Sequence, residues 1–383
     1  MRVCYVADYG VKLSGGHQSL LNLMQDLKSY GVEPYMVCHR NWEILDIAQK
    51  NGAKTKVVSG KLYTCRKDGK LLKEYLKYPI KRILNRMNLA EAKRFLKENN
   101  IELVHLNSVL SSEMWARAAY ECGVPYVWHI REFMEQDHNR MIINSGYTYK
   151  WLKRADAVIA ISGAVKSYWE KVLGRELSLV YNGLPNDKYS GDANDKFKSS
   201  CVRGIVVGRI VEGKGQADAV KAVEILTKKG IKNIHLELVG FRNMTEYEKN
   251  LKKYVEDNNL TKYVDFVEFT SELNSLRESC DIGFTCSKAE AFGRVTIENM
   301  LGGLLAVGTN SGGTVELIEE GKTGFLYPPG DSAALAKIWQ NAIENRELAV
   351  EIAKNGQLNA REHFLIERTV REVYEIYRRV LNL

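Results

Sequence analysis

This chain of 383 residues lacks several features, and each absence excludes a class of protein. Its seven cysteines are scattered and form no Cys-x-x-Cys pair, so we expect neither a disulfide framework nor a zinc site. No apolar run approaches the roughly 20 residues that a membrane-spanning helix needs. The first eight residues read as a β-strand and not as a secretory signal, so we expect a protein of the reducing cytoplasm.

Two phosphate-binding signatures are also missing. The chain contains no Gly-x-x-x-x-Gly-Lys-Ser/Thr sequence, which excludes a P-loop, and no Gly-x-Gly-x-x-Gly, which weakens a dinucleotide interpretation. What is present is ordinary for a folded globular protein, with 45% hydrophobic and 27% charged residues. The formal net charge of +8 fits small anionic ligands or an anionic membrane surface as well as nucleic acid.

Short β-branched strands alternate with helical patterns along the whole chain, which predicts parallel β-α-β units with helices on both faces of each sheet. Strands are expected at residues 2–7, 34–38, 103–106, 126–129, 157–161 and 177–181 and, after a polar segment at 182–200, at 204–207, 234–239, 263–268, 282–286, 304–308 and 325–327. The fold class is therefore α/β, with two Rossmann-like doubly wound domains at 1–185 and 186–362. Helices are expected at 246–257 in the second domain and, by pattern, from about residue 361 to the end. The terminal helix, at 363–383, is expected to return to the first domain.

The most informative stretch follows the predicted strand at 282–286. Glu290 lies in the loop after that strand, and Glu298 lies one turn inside the next predicted helix. A strand, a loop with Gly293 and a helix N-terminus form an anion site from backbone N–H groups and the helix dipole. One carboxylate would accept a hydrogen bond from a sugar hydroxyl and the other from a ribose hydroxyl. An ordinary loop with a glutamate in the first helical turn explains the same residues equally well.

Two other loops follow predicted strands. The sequence Gly-Arg-x-x-x-x-Lys-Gly at 208–215 offers Arg209 and Lys214 to neutralise a diphosphate whose bond to a sugar is breaking, although a solvated basic turn is an equal alternative. A Ser-Gly-Gly loop opens the first helix, where Gly15 and Gly16 let the backbone approach a ligand. Taken alone, this loop is slightly better explained as a plain β-α turn.

Together these elements resemble the family-four retaining glycosyltransferases of the GT-B fold, of the type that builds bacterial surface polysaccharides. The resemblance covers nearly the whole chain, and its most specific part is Glu-x-Phe-Gly-x-x-x-x-Glu at 290–298, followed by the motif at 208–215. Supporting segments are Val-His-Leu-Asn-Ser at 104–108, Ile-Ala-Ile-Ser at 159–162, Val-Tyr-Asn-Gly at 180–183 and Gly-Lys-Thr-Gly-Phe-Leu at 321–326. The resemblance implies two domains that face each other across a cleft.

The resemblance also implies roles for particular residues. Arg209 and Lys214 would hold the donor diphosphate, Glu290 would contact hydroxyls of the transferred sugar, and Glu298 would contact the nucleotide ribose. Further donor-binding positions are Gly15, Gly16, Phe292, Gly293, Arg294, Val295 and Thr296. His129 matches a family histidine near the sugar and is a candidate catalytic residue. Ile130 follows it where the family often has Asp, so a structural histidine at a strand end remains the alternative.

The resemblance favours transfer without a metal ion. Asp-x-Asp, the metal-chelating motif of the other major glycosyltransferase fold, does not occur in the chain. The charge of the leaving diphosphate would therefore be met by Arg209, Lys214 and helix N-termini. No side chain stands out as a nucleophile, and the resemblance implies front-face displacement with retention of the anomeric configuration.

A basic segment runs from Lys61 to Lys97 and contains few acidic residues. Its lysines and arginines interleave with apolar residues in the pattern of a basic amphipathic helix, which we expect Pro79 to interrupt. The basic positions are Lys70, Lys73, Lys77, Lys81, Arg82 and Arg86. Contact with anionic lipid headgroups near a lipid-linked acceptor and a solvated helix packed on the first domain explain this segment equally well.

The sequence thus predicts a hexosyltransferase that uses a nucleotide diphosphate sugar, needs no cofactor or metal, and extends a saccharide or lipid-linked acceptor in cell-surface polysaccharide biosynthesis. We expect it in the cytoplasm, peripherally at the inner face of the plasma membrane, and without a nucleic-acid partner. One alternative is a non-catalytic GT-B nucleotide-binding partner of another transferase, which the complete set Arg209, Lys214, Glu290 and Glu298 argues against. The other is a sugar-nucleotide epimerase or a sugar phosphorylase on a related fold.

Overall fold

A computed structural model describes residues 1–7, 13–67, 71–111, 113–242, 244–268, 270 and 272–383. The chain divides into two compact units, one formed by Met1–Gly183 with Ile366–Leu383 and the other by Leu184–Leu365. Each unit contains a parallel sheet flanked by helices, which confirms the predicted α/β fold class. Of the helices in these described ranges, none has the length and apolar character that a membrane crossing requires.

The first unit contains these strands: β1 (Arg2–Val6), β2 (Glu33–Cys38), β3 (Lys54–Val57), β4 (Thr64–Arg66), β5 (Leu103–Asn107), β6 (Tyr126–Ile130), β7 (Arg140–Ile142), β8 (Ala157–Ala160) and β9 (Ser178–Leu179). Its helices are α1 (Gly15–Asp26), α2 (Glu43–Lys50), α3 (Leu71–Glu98), α4 (Glu113–Cys122), α5 (Glu135–His138), α6 (Ser145–Arg154), α7 (Gly163–Leu173) and the terminal helix α14 (Ile366–Leu381). The main sheet is parallel throughout, in the order β3-β2-β1-β5-β6-β8-β9, and β4 pairs with β7 in a small antiparallel sheet.

The centre of this sheet is covered on both faces. Strands β5, β6 and β8 are buried at every position, as expected for parallel strands between two helical layers. Helix α14 contributes Ile366, Val370 and Tyr377, among others, to the same core and packs against α1. The strand order reverses between β1 and β5, which is where a doubly wound sheet opens a crevice for a ligand.

The second unit repeats the same architecture. Its strands are β10 (Val202–Val207), β11 (Ile234–Phe241), β12 (Val264–Glu268), β13 (Ile282–Thr285), β14 (Leu305–Thr309) and β15 (Phe325–Tyr327). Its helices are α8 (Gln216–Lys228), α9 (Glu246–Asp257), α10 (Leu273–Glu278), α11 (Arg294–Leu301), α12 (Ser332–Glu344) and α13 (Arg346–His363). The strands pair in parallel in the order β12-β11-β10-β13-β14-β15, with the reversal between β10 and β13.

Two expectations about helices differ from the structure. Helix α3 continues through Pro79 instead of being interrupted there. The proline costs the helix one backbone hydrogen bond, and because this position is exposed, water can replace that bond. The helical pattern from about residue 361 covers two helices, since α13 ends at His363 and α14 begins at Ile366. Lys70, one of the predicted basic positions, lies outside the described residues.

Candidate functional site: the carboxyl edge of the second sheet

The topology of the second unit brings two of the sequence motifs together. Strands β10 and β13 are neighbours in the sheet, with Val206 opposite Phe284. The motif at 208–215 follows β10, and the motif at 290–298 begins in the loop after β13. Both loops therefore leave the carboxyl edge of the sheet at its reversal point, where open α/β sheets bind their ligands.

The two loops touch through the backbone. The amide of Lys288 donates to the carbonyl of Gly213 at 3.0 Å. Gly215 has a φ of 64°, and a Cβ atom at this position would lie 2.0 Å from the carbonyl oxygen of Cys286. The glycine after Lys214 is therefore required both by its left-handed backbone and by the close approach of the second loop.

Lys214 and Glu290 form an ion pair across these loops. The Lys214 Nζ atom donates to Glu290 Oε2 at 2.7 Å, and the two side chains are 37% and 18% exposed. The pair is thus open to a ligand on one side. Arg209, on the same loop as Lys214, has an exposed side chain, and its backbone carbonyl accepts a hydrogen bond from Gln216 at 2.9 Å.

The end of β14 and a third loop, residues 310–313, fix the backbone around Glu290. The Gly313 amide donates to the Glu290 carbonyl at 2.7 Å, and the Thr309 hydroxyl donates to the Ser287 carbonyl at 2.7 Å. This loop was not among the predicted site elements. Its signal was a pair of glycines soon after a buried strand, the same kind of signal that identified the first two loops.

Helix α11 starts at this edge with its N-terminus open. Gly293 precedes the helix with a φ of 104°, and among the described residues no side chain caps this end. Phe292 is buried with its ring 6.4 Å from that of Phe364, so only its backbone is placed to meet a ligand. Val295 is half-buried, and the Thr296 hydroxyl lies 2.9 Å from that of Thr285. The helix therefore presents backbone N–H groups and its positive dipole end, as an anion site requires.

Glu298 lies on α11 between two arginines. Arg294 Nε donates to Glu298 Oε1 at 2.8 Å, and Arg277, which is buried, binds the other oxygen. Burial raises the pKa of Glu298, but the two guanidinium groups outweigh it and hold the pKa below its usual range. Glu298 is therefore an oriented carboxylate at neutral pH. Sequence reasoning missed Arg277, whose position in α10 gave no local signal.

The predicted positions in the first unit lie at its own sheet edge. Gly15 and Gly16 begin α1, with Gly15 exposed and Gly16 half-buried. Ser14 caps the helix and exchanges hydrogen bonds with His17, through its hydroxyl and through its amide. This capping box satisfies backbone groups of the first turn. Residues 8–12, which precede this loop in the chain, lie outside the described part.

His129 lies near the end of β6 and has no exposed surface. Its Nδ1 atom lies 3.3 Å from one guanidinium nitrogen of Arg131. The other two nitrogens of this guanidinium donate to the side-chain oxygens of Asn107 at 2.5 Å and of Asn182 at 2.6 Å. Burial, Arg131 and the neighbouring His105 lower the pKa of His129 well below its usual value. The ring is thus neutral and enclosed, which favours the structural alternative for this residue.

The described residues contain no group of three or more His, Cys, Asp or Glu side chains that could hold a metal ion. The positive groups at the site are instead Lys214, Arg209 and the start of α11. A chelator therefore tests whether the reaction needs a metal.

Comparison with known proteins places this site in a family. The profile described as Glycosyltransferase Family 4 matches residues 13–188, and the profile described as Glycosyl transferases group 1 matches residues 203–359, which includes both motifs of the second unit. The two matches together span most of the chain. The chain belongs to the family-four glycosyltransferases with the GT-B fold.

Individual relatives agree with this assignment. The capsular polysaccharide biosynthesis glycosyltransferase CapM of Staphylococcus aureus is 26% identical over 52% of this chain, and the amylovoran biosynthesis glycosyltransferase AmsK of Erwinia amylovora is 25% identical over 54%. These alignments span about half of the relatives, 51% of each. The crystal structure of Anabaena HepE in complex with UDP superposes with a TM-score of 0.82 at 21% identity, covering 98% of this chain and 99% of HepE.

Proposed function

We propose that this chain transfers a hexose-type sugar from a nucleotide diphosphate sugar to a saccharide or lipid-linked acceptor, with retention and without a metal ion. The observation that carries the proposal is the Lys214–Glu290 ion pair beside the open N-terminus of α11. A cation and helix N–H groups are the partners that a diphosphate needs, and an adjacent carboxylate is the partner that a sugar hydroxyl needs.

The charges at the site match the charge that develops in such a reaction. When the bond between the sugar and the diphosphate breaks, negative charge grows on the leaving phosphate. Lys214 and the dipole of α11 are held in place before that happens, and Arg209 lies on the same loop as Lys214, so these groups favour the transition state over the bound donor. These groups support the proposal that the leaving diphosphate is stabilised without a metal ion.

Retention by front-face displacement agrees with the position of Glu290. Lys214 holds one of its oxygens at 2.7 Å, which places the side chain as a hydrogen-bond acceptor for sugar hydroxyls. We infer that Glu290 orients the sugar through its hydroxyls and that the leaving phosphate accepts the proton of the acceptor hydroxyl. No covalent sugar–enzyme intermediate is then formed.

The choice of donor and pathway follows from the relatives. HepE was crystallised with UDP and with UDP-glucose, so uridine diphosphate sugars are the first donors to test. CapM and AmsK are named for polysaccharide biosynthesis, which supports a role in building a surface glycan. We propose that the reaction takes place in the cytoplasm, at the inner face of the plasma membrane.

The test begins with a thermal-shift screen of nucleotide sugars, because a ligand at about 100 times its dissociation constant stabilises the fold by roughly 2.7 kcal/mol. Transfer and donor hydrolysis are then measured for the wild type and for Glu290→Ala, with Glu212→Ala as a matched loop control. Glu212 is 78% exposed, so its removal should leave turnover unchanged. Glu290→Ala should abolish transfer while the protein stays folded.

Several results would overturn the proposal. Turnover of Glu290→Ala equal to that of the wild type would remove the role of the carboxylate. Formation of a sugar phosphate, only when inorganic phosphate is the acceptor, would identify a phosphorylase, and an isomerised nucleotide sugar formed without any acceptor would identify an epimerase. Nucleotide binding without donor hydrolysis or transfer would leave a non-catalytic partner of another transferase.

A further inference from the structure

Helix α3 presents an apolar stripe to solvent. Leu72, Leu76, Ile80, Ile83 and Met87 are 76%, 70%, 60%, 60% and 70% exposed. Their spacing of three or four residues places them on one face of the helix. Contiguous exposed apolar surface of this kind marks an interaction site, so this stripe requires a partner.

The opposite face of α3 is anchored to the first unit, which fixes the stripe outward. Leu89, Ala92 and Leu96 are buried against the unit. The Asn85 side chain is also buried and forms two hydrogen bonds with the backbone of Lys61, at 2.7 and 2.9 Å. Rotating the helix to hide the stripe would break these contacts.

The stripe is bordered by positive charge. Between Leu71 and Ala90 the sequence contains five basic residues and one acidic residue, Glu74, which pairs with Lys77 and Lys81 at 3.0 and 2.9 Å. Within the described part of the chain, Arg82 and Arg86 have no carboxylate partner. An apolar face between cationic flanks is the pattern of a helix that lies in a membrane interface.

A pocket of about 290 Å³ opens beside the stripe. Its lining includes Tyr63, Pro79, Arg82, Arg86, Arg117 and Tyr147. The guanidinium of Arg82 lies over the Tyr147 ring at 5.0 Å, a cation–π contact that holds its charge at the pocket wall. Arg117 is paired with Glu121 at 2.7 Å. Buried Glu113, which accepts a hydrogen bond from Thr148, offsets one of the two remaining charges, so Arg82 and Arg86 leave a net positive charge at the pocket.

We propose that α3 docks this chain on an anionic membrane, with the stripe inserted at the level of the upper acyl chains and a lipid phosphate bound in the pocket by Arg82 and Arg86. Planar guanidinium groups match the geometry of phosphate oxygens. A second copy of this chain is a worse occupant, because pairing the stripe with itself would bring the two cationic flanks together. This inference rests on the proposed function in one respect: a lipid-linked acceptor would reach the protein at this membrane surface.

The experiment measures partitioning of the full chain into vesicles by cosedimentation. The bulk lipid of all vesicles, called the matrix, is digalactosyldiacylglycerol, which is neutral and has no phosphate. One set of vesicles contains phosphatidylglycerol, and a second contains oleic acid at equal surface charge. The wild type should bind phosphatidylglycerol vesicles most tightly, oleic acid vesicles less tightly and the undoped matrix most weakly.

Three double variants separate the contributions. Arg82→Gln/Arg86→Gln should weaken binding to phosphatidylglycerol vesicles about 25-fold, from about fivefold per charge near an anionic surface. Arg82→Lys/Arg86→Lys keeps the charge and should lose only the preference for phosphatidylglycerol over oleic acid. Leu76→Gln/Ile80→Gln should weaken binding to both anionic vesicles by about tenfold or more.

The matched control is Lys249→Gln/Lys253→Gln on α9, which removes the same net charge from exposed positions of the second unit. Its binding should stay within about twofold of the wild type. Equal losses for this control and for Arg82→Gln/Arg86→Gln would overturn the pocket. A wild type that fails to partition, or that sediments as a dimer dispersed by Leu76→Gln/Ile80→Gln, would overturn the membrane as partner.

Donor hydrolysis without vesicles, measured on the same samples, separates this inference from the proposed function. Hydrolysis without partitioning would refute the docking surface and leave the transferase assignment intact. Partitioning without hydrolysis would do the reverse.

Discussion

Replacing Lys214 by alanine should lower turnover far more than it lowers stability. The ion pair with Glu290 is partly exposed, at 37% for the lysine side chain, and such pairs contribute about 0–1 kcal/mol to folding. The same ammonium placed against the leaving diphosphate is worth much more, since loss of one oriented donor of developing charge typically costs about 10²–10³ in kcat, or about 2.7–4 kcal/mol. The two effects should therefore differ by about 2 kcal/mol or more.

The assay is a pair of measurements on each variant. Steady-state kinetics with the identified donor give kcat and KM, and urea unfolding gives the free energy of unfolding. For Lys214→Ala we expect the fall in kcat to exceed any rise in KM, because the charge is needed most after the bond begins to break. Free nucleotide diphosphate should bind only moderately more weakly.

Lys288→Ala is the matched control. Lys288 pairs with Glu212 at 3.0 Å across the same two loops, but both side chains are more than half exposed. Its removal should change neither turnover nor stability by a measurable factor. If Lys214→Ala raises KM and leaves kcat unchanged, the lysine only docks the donor and the leaving-group argument is wrong. If Lys288→Ala lowers kcat equally, the effect is not specific to Lys214, and the argument is wrong for that reason.

Four further predictions follow from the site and its surroundings. Arg209→Lys should remain impaired in kcat, since an ammonium cannot reproduce the planar guanidinium fork, and full activity of this variant would contradict a bidentate contact with phosphate. Arg277→Met should raise the pKa of Glu298 by removing the nearer of its two cations. As the pH is lowered, Glu298 should therefore be protonated sooner, and nucleotide affinity should begin to fall at a higher pH than in the wild type. An unchanged pH profile of nucleotide affinity would show that Glu298 does not contribute to nucleotide binding. Activity should be complete in excess chelator, and a requirement for manganese or magnesium would show that the charge argument fails. Burial lowers the pKa of His105 from 6.5 to about 3 in the folded protein. Between these two pH values the unfolded chain binds a proton that the folded protein does not, so the free energy of unfolding should fall by about 2 kcal/mol as the pH drops to 5. In urea unfolding, His105→Gln should show a weaker dependence of this free energy on pH, and an unchanged dependence would refute the assignment.

The sequence predicted the second unit best, because its elements carry strong local signals. Helix α9 begins with a capping box between Thr245 and Glu248, and its predicted bounds agree with the structure. The placement of Glu290 and Glu298 in a loop and on a helix was also correct, since strand, glycine and helix follow one another within a short stretch. Local order of this kind needs no knowledge of the tertiary fold.

Other elements of the fold had no local signal. Strand β3 contains Lys54 and Lys56 and lies at the sheet edge, where it shows no apolar alternation. Strands β4 and β7 are three residues each and are defined only by pairing with each other. Helix α13 was not predicted, and the terminal pattern merged its last turn with α14.

The contacts around the candidate site depend on the tertiary structure. Arg277 reaches Glu298 from a separate helix, 21 positions away in the chain, so no motif could join them. His129 is enclosed because its strand lies between β5 and β8 in the middle of the sheet. A sequence pattern predicts that this histidine lies at a strand end, but it does not predict which residues pack around the side chain. The sequence therefore could not decide between a catalytic and a structural histidine.

The return of α14 to the first unit has a consequence for biosynthesis. Ile366, Val373 and Tyr377 complete the core of a unit whose other residues end at Gly183. A ribosome adding roughly 5–20 residues per second needs on the order of 10–40 s to pass from Gly183 to Ile366. During that interval the first sheet has an uncovered apolar face, while the second unit is contiguous and can fold as soon as it emerges. The order of folding should therefore be the reverse of the order of synthesis, and the first unit should be the one that recruits chaperones.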